Sequence, residues 1–592
     1  MKRARRICLA LAVALTAVTA FLLPLKFGGI AGLAEVPGTI PGDLWEWIFF
    51  TSLPTEFFAV VSAAALLLTV AGGAVRLPES RMVRLTLYLW GVGFPLAVLP
   101  GFVNTAVRDY AFAHLVHWLS VGAWCWTTAL LLADDPRRKK LFVGALMAGF
   151  LVSVLAGWRL RLWGFAETRR YFARMEEAGR VKLDPQLWIK LNDDRVYATF
   201  TSCNSFAGFL ILAGAAFALA AAKFGERFEP RKISRPLLFA AAALLTLPLL
   251  PLTRSRGALL CALLAGVGAF LCSRLPRAVK IAGLSLFIAA GVGGAWYVHH
   301  KGRGFSSGAE RLDYLATTAQ LVAAHPVCGA GWDGFFREHM RVKRTGSDEA
   351  AHDPHNLAAS FAGQAGVLSG VLALAALILP LWALFRRYRK FGPWRRAVCW
   401  GCAAAALHML MELDYLVQAQ LAAFWLLALA ALIEDAPETD SVPAAKFETC
   451  AAAGAAAATA LAALALGVWV LRGDLAFAGF SALVTPEPGT QWHQPSEKRI
   501  GIALDEVRRS RQHLPFALEK LAGYRMPNAP AEAEKLLLES LELSGPRPSL
   551  YAKLAETARR SGDEEKAASY WRRAHELFPA KYPRVQPPHP ER

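Results

Sequence analysis

Apolar runs of about twenty residues recur along this 592-residue chain, and most of them are separated by short polar stretches. A helix of that length crosses a hydrocarbon core about 30 Å thick, and lipid offers backbone groups no other hydrogen-bonding partner. The pattern therefore predicts an all-α protein, a polytopic transmembrane helical bundle of about 12–13 spans. The predicted spans are residues 7–25, 57–75, 85–103, 113–133, 141–158, 200–222, 236–252, 257–272, 281–298, 357–384, 397–411, 415–433 and 450–471.

Lys and Arg concentrate in alternate loops, and this bias predicts the orientation of the bundle. With the N-terminus in the cytoplasm, five of the six inner loops are rich in Lys and Arg, most densely at residues 386–390. The first run, after Lys2-Arg3-Ala-Arg5-Arg6, also resembles a signal peptide, but its removal would not change this orientation. The net charge of +19 is thus mostly explained by topology, and no nucleic-acid partner is expected.

The chain divides into a predicted transmembrane domain, residues 1–471, and a polar helical tail, residues 472–592. Within the domain, the core spans residues 195–433, and two polar segments are long, residues 159–194 and, longer still, residues 299–356. Long insertions between short-looped spans usually carry function. We therefore expect the segment 299–356 to lie outside the cytoplasm, as does the tail, and to close over a substrate.

The tail ends in a repeat-like unit at residues 549–579. It combines two apolar helical faces, a Gly562-Asp563 turn, Ala at close-packing points and a terminal Pro579. This pattern resembles a tetratricopeptide repeat, with a looser copy about 34 residues earlier; a generic helical hairpin is the alternative. Because so few repeats bury little core, we expect residues 500–522 to stack on them or the tail to dock on the membrane domain. Such a tail would bind a protein partner and would not catalyse.

Basic residues cluster where polar segments meet predicted spans. Arg195 precedes the sixth span, and the turn Thr253-Arg254-Ser255-Arg256-Gly257 joins the seventh to the eighth. An arginine beside a span is costly unless it pairs or faces water, and each one alone could snorkel to the headgroups. Several on one side of the membrane favour an anion clamp, because the guanidinium fork holds phosphate oxygens in two-point contact.

His355, in Asp353-Pro354-His355-Asn356, stands at the start of the tenth predicted span. It could cap that helix, ligate a metal or act as a general base. No set of Cys, His and carboxylates surrounds it, and Cys399-Trp-Gly-Cys402 lies inside a span without such partners, so no metal site is expected. Glu412 and Asp414, in a short outer loop, could orient a base or pair with an arginine.

Short motifs follow one another in a fixed order through the core. They are Arg195-x-x-x-Thr199-Phe200 with Asn204-x-Phe206-Ala207, Ser255-Arg256-Gly257, Arg311-Leu-x-Tyr314, His325-Pro-Val-Cys-Gly329-Ala-Gly331, and His355-Asn356 followed by Gly363 and Gly366. Together they resemble the O-antigen ligase and O-antigen polymerase family of bacterial membrane glycosyltransferases. Ala198 stands where many members have Gly and Cys203 where many have Pro, but neither departure removes a charged group.

The resemblance implies an enzyme of the bacterial inner membrane that needs no cofactor and no metal. It would transfer a glycan from an undecaprenyl-diphosphate-linked donor to a hydroxyl of an acceptor glycolipid, glycan or protein on the periplasmic face. The resemblance makes His355 the base and makes Arg195 and Arg256 the diphosphate binders, with Arg254 and Arg311 in support. Further supporting candidates are Asn204, Asn356, Asp353, Glu412 and Asp414.

Other functions stay open at this point. Within the family, a ligase, a polymerase and a protein O-glycosylating enzyme share these motifs. Outside it, a flippase for lipid-linked glycans would also place arginines in its interior, and a membrane scaffold would use the repeats for assembly. A flippase does not need the long segment that ends at His355, and a scaffold does not need the arginine clusters. Release of free undecaprenyl diphosphate by the purified protein would separate a transferase from both.

Overall fold

The computed structural model describes residues 2–31, 52–106, 108–177, 192–226, 234–300, 306–343, 351–433, 445–485, 495–579 and 581–583. Within these ranges the regular structure is helical, apart from an isolated bridge between Ile30 and Val417. The predicted all-α class is confirmed.

Helical backbone coincides with each of the predicted spans. In the first half of the chain the helices are α1 (Lys2–Lys26), α2 (Thr55–Ala71), α3 (Arg81–Phe102), α4 (Arg108–Asp134), α5 (Pro136–Glu177), α6 (Cys203–Gly225), α7 (Ser234–Leu252), α8 (Arg256–Leu271) and α9 (Arg277–His300). The next are α10 (Ser306–Ala324), α11 (Gly334–Val342), α12 (Leu357–Ala365), α13 (Val367–Arg386), α14 (Pro393–Met409), α15 (Gln418–Leu432) and α16 (Lys446–Val484). The tail contains α17 (Glu497–Ser510), α18 (Leu514–Arg525), α19 (Pro530–Ser544), α20 (Pro548–Arg560) and α21 (Glu564–Leu577).

In the described part of the chain, eight helices are long and apolar enough to cross a membrane, namely α1, α3, α4, α5, α6, α7, α13 and α16. The apolar helices α2, α8 and α15 are shorter. The remaining two predicted spans coincide with α9 and α14. The protein is therefore a multi-pass helical membrane protein.

Helices α4 and α15 form the centre of the bundle. Every residue of α15 is buried, and the most apolar stretch of α4 is buried completely. Trp90 stacks on Phe424 with ring centroids 5.6 Å apart, and the Trp124 indole donates to the Ala422 carbonyl at 3.1 Å. A buried indole N–H needs such a partner because no water reaches it. This packing fixes the position of the turn that precedes α15.

The tenth predicted span, residues 357–384, is wrong as one continuous helix, because the chain breaks it into α12 and α13 at Gly366. Gly366 has φ +98°, and a Cβ there would clash with the Val327 carbonyl oxygen. Only glycine tolerates both this backbone conformation and such a close approach. The Val367 N–H donates to the Pro326 carbonyl at 2.9 Å, so the turn after α10 is docked against the break.

The long polar segment predicted at 299–356 is mostly helical where it is described, because α10 and α11 lie within it. Tyr314, Leu321, Phe335 and Ala351 form a small apolar core between these helices and the residues before α12. The segment is thus a packed substructure, and it holds the residues around His355 in place.

The tail helices pack on one another in sequence and on the membrane domain. Helix α16 continues through the predicted boundary at residue 471 to Val484. The His513 ring donates to Asp474 of α16 at 2.7 Å, and its backbone N–H donates to Asp109 of α4 at 2.9 Å. Farther along, α21 packs on α11, and the Lys343 ammonium lies 3.5 Å from the centroid of the Phe578 ring. The assignment of these helices to the tetratricopeptide class stays a prediction.

Candidate functional site

The turn between α14 and α15, residues 408–417, is where the predicted site segments meet. Arg311 of α10 donates through Nε to the Met411 carbonyl at 3.1 Å. Asn356 donates through Nδ2 to the Leu410 carbonyl at 2.8 Å. These bonds attach α10 and the start of α12 to one turn, which we call the hub turn.

Two glycines lie where helices α6 and α8 approach the hub turn. At Gly257, the second residue of α8, a Cβ would lie 3.5 Å from His408 Nε2 and 3.9 Å from the Glu412 side chain. At Gly208 of α6, a Cβ would overlap the Asp414 carboxylate. A side chain at Gly208 would therefore push α6 away from the hub turn, whereas a Cβ at Gly257 would make ordinary contacts with it.

Arg195 bridges two of the predicted basic clusters. Its Nε donates to the Thr253 carbonyl at 3.1 Å, and one terminal nitrogen donates to Asn204 Oδ1 at 3.0 Å. Its carboxylate neighbour Asp193 is more distant, at 3.8 Å from Nε. The arginine thus joins the start of α6 to the turn before α8.

The turn before α8 presents its two arginines differently. Arg254, with a left-handed φ of +53°, forms an ion pair with Asp193 at 2.7 Å. Ser255 caps α8 by accepting the Ala258 N–H, so Arg256 is the first residue of the helix. The Arg256 side chain is exposed and has no hydrogen bond or ion pair with any described residue. At a helix N-terminus, where the helix dipole also favours anions, it is available to a ligand.

Glu412 and Asp414 lie in the hub turn, which is packed between helices, and both carboxylates are buried. Glu412 forms an ion pair with Arg311, one of the two roles that the sequence left open. Asp414 accepts from His408 Nδ1 at 2.6 Å, and both side chains are fully buried. Buried carboxylates require such partners, so these two residues hold the hub turn together.

His355 lies just before α12, at a left-handed φ of +54°, and Asn356 caps the helix by accepting the Ala359 N–H at 3.0 Å. His355 Nδ1 lies 2.9 Å from the Asp353 carbonyl oxygen. Because a carbonyl can only accept, Nδ1 must carry the proton, which leaves the lone pair of the neutral ring on Nε2. Tyr314 stacks on the imidazole with ring centroids 5.3 Å apart. The ring is thus fixed in orientation and in tautomer.

Asp353 is a buried carboxylate that organises the residues around His355. It accepts hydrogen bonds from the His355 backbone N–H at 3.1 Å, from Ser360 at 2.6 Å, from Gln364 at 3.2 Å and from the Tyr415 hydroxyl. Burial raises the pKa of Asp353, whereas the hydrogen bonds from Ser360 and Tyr415 lower it. The bond to the His355 N–H closes the turn that gives the histidine its left-handed backbone, and Tyr415 ties that turn to the hub.

We expect Tyr415→Phe to lower kcat about tenfold with little change in KM, since one lost hydrogen bond to a buried carboxylate is worth about 1.4 kcal/mol. Steady-state transfer kinetics of the purified variant would measure this. Tyr88→Phe is the matched control, because it removes a hydroxyl that bonds Glu448, outside the site. Equal losses in the two variants, or none in Tyr415→Phe, would refute a positioning role.

Three side chains of the site were not predicted from the sequence, namely His408, Tyr415 and Gln364. The signal for His408 was present, because Glu412 and Asp414 follow it closely in an apolar stretch where ionisable residues are costly. Tyr415 and Gln364 carry no comparable signal, since their role depends on Asp353, which is 62 and 11 residues away.

The fold and the site define a class: a multi-pass helical membrane protein in which arginines and one oriented histidine surround a packed turn. Residues 241–374 match the family described as O-antigen ligase. This match confirms the family resemblance over residues 241–374 and identifies an O-antigen ligase domain there. The matched family is a glycosyltransferase-like enzyme family. The match includes Arg254, Arg256, Arg311, Asp353, His355 and Asn356, and leaves Arg195, Asn204, the hub turn and the tail outside. No curated protein matches the chain.

Proposed function

We propose that the protein transfers a glycan from an undecaprenyl-diphosphate-linked donor to a hydroxyl of an acceptor glycan, with inversion at the anomeric carbon. The observation that carries the proposal is the fixed tautomer of His355, whose Nε2 bears a lone pair beside the arginine-lined hub turn. An O-antigen ligase domain that covers His355 and Arg256 supports it.

The arginines act on the leaving group. Arg256, free of protein partners among the described residues, binds the donor diphosphate together with Arg195. Arg254 and Arg311 add positive charge, although Asp193 and Glu412 partly neutralise them. One preorganised hydrogen-bond-donating group at the leaving group stabilises the transition state by about 3–4 kcal/mol.

The proposed displacement needs no cofactor, because the donor, the acceptor and His355 account for each bond and for the proton. The acceptor hydroxyl gives its proton to His355 Nε2 while its oxygen bonds to the anomeric carbon. The bond between that carbon and the diphosphate oxygen breaks, and undecaprenyl diphosphate leaves with the electron pair. Attack from the face opposite the leaving group inverts the configuration. Asp353 and Tyr314 keep the imidazole in place, and the packed segment α10–α11 limits access of water, which would otherwise hydrolyse the donor.

Purified protein in lipid nanodiscs, supplied with an undecaprenyl-diphosphate-linked glycan, would test the function. We expect free undecaprenyl diphosphate and glycosylated acceptor to appear in equal amounts. Movement of the glycan lipid across the bilayer without its cleavage would instead indicate a flippase. Folded protein that produces neither outcome would contradict both functions and favour a scaffold.

We further propose that the protein lies in the bacterial inner membrane with its N-terminus in the cytoplasm and with the site and tail in the periplasm. The alternation of Lys and Arg between loops supports this orientation. The tail is proposed to select the acceptor or a protein partner, since His355 and the arginine clusters all precede it in the chain.

Reporter fusions would check the orientation. A fusion at residue 485, directly after α16, is expected to be active with a periplasmic reporter and inactive with a cytoplasmic one. A fusion in residues 386–390 should give the opposite pattern and serves as the control. A cytoplasmic tail would mean that one predicted span does not cross the membrane.

A further inference from the structure

Polar and aromatic side chains from three parts of the protein lie together beside the residues that hold His355. They are Tyr110 of α4, Asp333 and Arg337 at the start of α11, His352, and Arg547 of the tail, and we call this group the three-way junction. The tail reaches this region because Ala574 and Phe578 of α21 share an apolar cluster with Met340 and Phe336 of α11. The charge of Arg547 also acts on Asp333 and His352.

Asp333 is held in an unfavourable backbone conformation. It is not a glycine and yet has φ +82°, and its N–H donates to Gln364 Oε1 at 3.1 Å. Left-handed residues of this kind persist where the surrounding structure fixes them, and they concentrate at functional sites. The half-buried Asp333 carboxyl group has no hydrogen bond or ion pair within the described ranges of the chain. The fold therefore maintains a polar group without a partner of its own.

The neighbours of Asp333 also have unused hydrogen-bonding capacity. Arg337 Nε is buried and has no partner in the described part of the protein. Burial raises the pKa of Asp333 to about 7, against the opposing charges of Arg337 and Arg547. Near neutral pH, Asp333 can thus both accept and donate a hydrogen bond. Buried polar atoms without partners are costly, and a polar ligand would remove that cost.

Flat ring faces adjoin these polar groups. Phe336 and His352 stack with centroids 4.1 Å apart and planes 3° apart, and Tyr110 lies 6.5 Å from His352 at an angle of 27°. The Tyr110 hydroxyl has no hydrogen-bond partner among the residues that the structure describes. Sugar hydroxyls both donate and accept hydrogen bonds, so they match the unpaired polar groups of Tyr110, Asp333 and Arg337.

The three-way junction is connected to the proposed base through one side chain. Gln364 accepts from the Asp333 N–H and donates from Nε2 to Asp353 at 3.2 Å. Asp353 in turn holds the His355 backbone at 3.1 Å. A sugar bound at Asp333 would thus be positioned by the same network that positions His355.

The charges of the junction indicate a neutral ligand. Arg547 forms its ion pair with Glu519, which also binds Lys553, and the Asp333 carboxyl group partly offsets the charge of Arg337. A polyanion would meet two carboxylates here, and a lipid chain would meet unpaired polar groups. The donor diphosphate, in contrast, is assigned to Arg195, which precedes α6, and to Arg256, which begins α8.

We infer that the three-way junction binds neutral, hydroxyl-rich sugar residues of the acceptor and presents their hydroxyl to His355. This inference rests on the proposed function, because it assigns the acceptor side of that reaction. It also makes Tyr110, Asp333 and Arg337 determinants of acceptor specificity, and it explains why the tail reaches the site.

Direct binding, which does not depend on turnover, tests the inference. Wild-type protein in nanodiscs would be titrated with a panel of neutral di- and trisaccharides, and separately with an undecaprenyl-diphosphate-linked glycan. We expect at least one panel saccharide to bind, and Asp333→Asn, Arg337→Met and Tyr110→Phe each to weaken it about tenfold, the cost of a lost hydrogen bond. Asn tolerates the left-handed backbone, so Asp333→Asn keeps the fold.

The control variant is Glu338→Gln. Glu338 is next to Arg337 in α11, but its ion pair is with Arg341, which is not a junction residue. It should leave saccharide binding unchanged. Unchanged binding in the three junction variants, or no saccharide binding by the wild type, would overturn the inference. Weaker binding of the lipid-linked glycan alone would assign the junction to the donor and would also overturn it. Absence of transfer by a wild type that binds saccharides would instead contradict the proposed function.

Discussion

His355→Gln is expected to lower glycan transfer by about 10²–10⁴-fold, the usual contribution of a general base, while binding of the lipid-linked donor persists. Glutamine retains hydrogen bonding but has no basic nitrogen in place of Nε2. His355→Ala should be equally poor, although alanine also lacks the polar side chain that eases the left-handed backbone at φ +54°. His355→Asn, which tolerates that backbone, separates loss of the base from loss of the turn. Single-turnover transfer and donor binding by purified variants are the measurements.

His325→Gln is the control for His355, since His325 is an exposed histidine at the end of α10. It should transfer at the wild-type rate. Near-normal transfer by His355→Gln would show that His355 only positions the acceptor. The base would then have to be sought at His352, because Glu412 and Asp414 are buried and paired with Arg311 and His408.

Arg256→Ala is expected to reduce transfer by about 10²–10³-fold. This is the usual cost of removing one group that stabilises negative charge on the leaving group. The substitution breaks no hydrogen bond or ion pair within the described residues, so its effect reports on the ligand contact alone. Arg256→Lys keeps the charge but loses the planar fork, so it should also be clearly impaired. Transfer rates and donor affinity would be measured for both variants.

Arg274→Ala provides the comparison for Arg256, as it removes an exposed arginine just beyond the opposite end of α8. It is expected to be active. Full transfer by both Arg256→Ala and Arg195→Ala at normal expression would rule out the diphosphate clamp. Arg195→Ala alone is harder to interpret, since Arg195 also bridges Thr253 and Asn204.

The helices could be predicted from the sequence because a span requires about twenty apolar residues and little else. The break at Gly366 could not be predicted in this way. Glycine is common inside membrane helices, so residues 357–384 look like one run. The need for glycine arises from the Val327 carbonyl, which is brought there by tertiary packing. Length and hydropathy carry no information about such a contact.

Predictions for the site divide along a similar line. Arg195 and Arg256 were conspicuous because charge beside a membrane span is costly, and His355 was singled out by its position before a span and by the family resemblance; their roles stay predictions. The burial of Glu412 and Asp414 could not be predicted, because a short stretch between two apolar runs gives no information about what packs on it. The close approach of α6 to Asp414 depends on Gly208, where a side chain would overlap the carboxylate. Short-range patterns locate costly residues, whereas their partners depend on the assembled bundle.

Helix α16 fixes the distance and the rotation between its first residue and the tail helices that follow it. It runs for 39 residues without interruption, which corresponds to about 58 Å, roughly twice the thickness of a hydrocarbon core. Each residue inserted into such a rod would raise the tail helices by about 1.5 Å and rotate them by about 100°. The contact of Phe578 with Lys343 would then be lost at once. Because a full turn takes 3.6 residues, only insertions close to a whole number of turns would restore the rotation of the tail helices relative to α11.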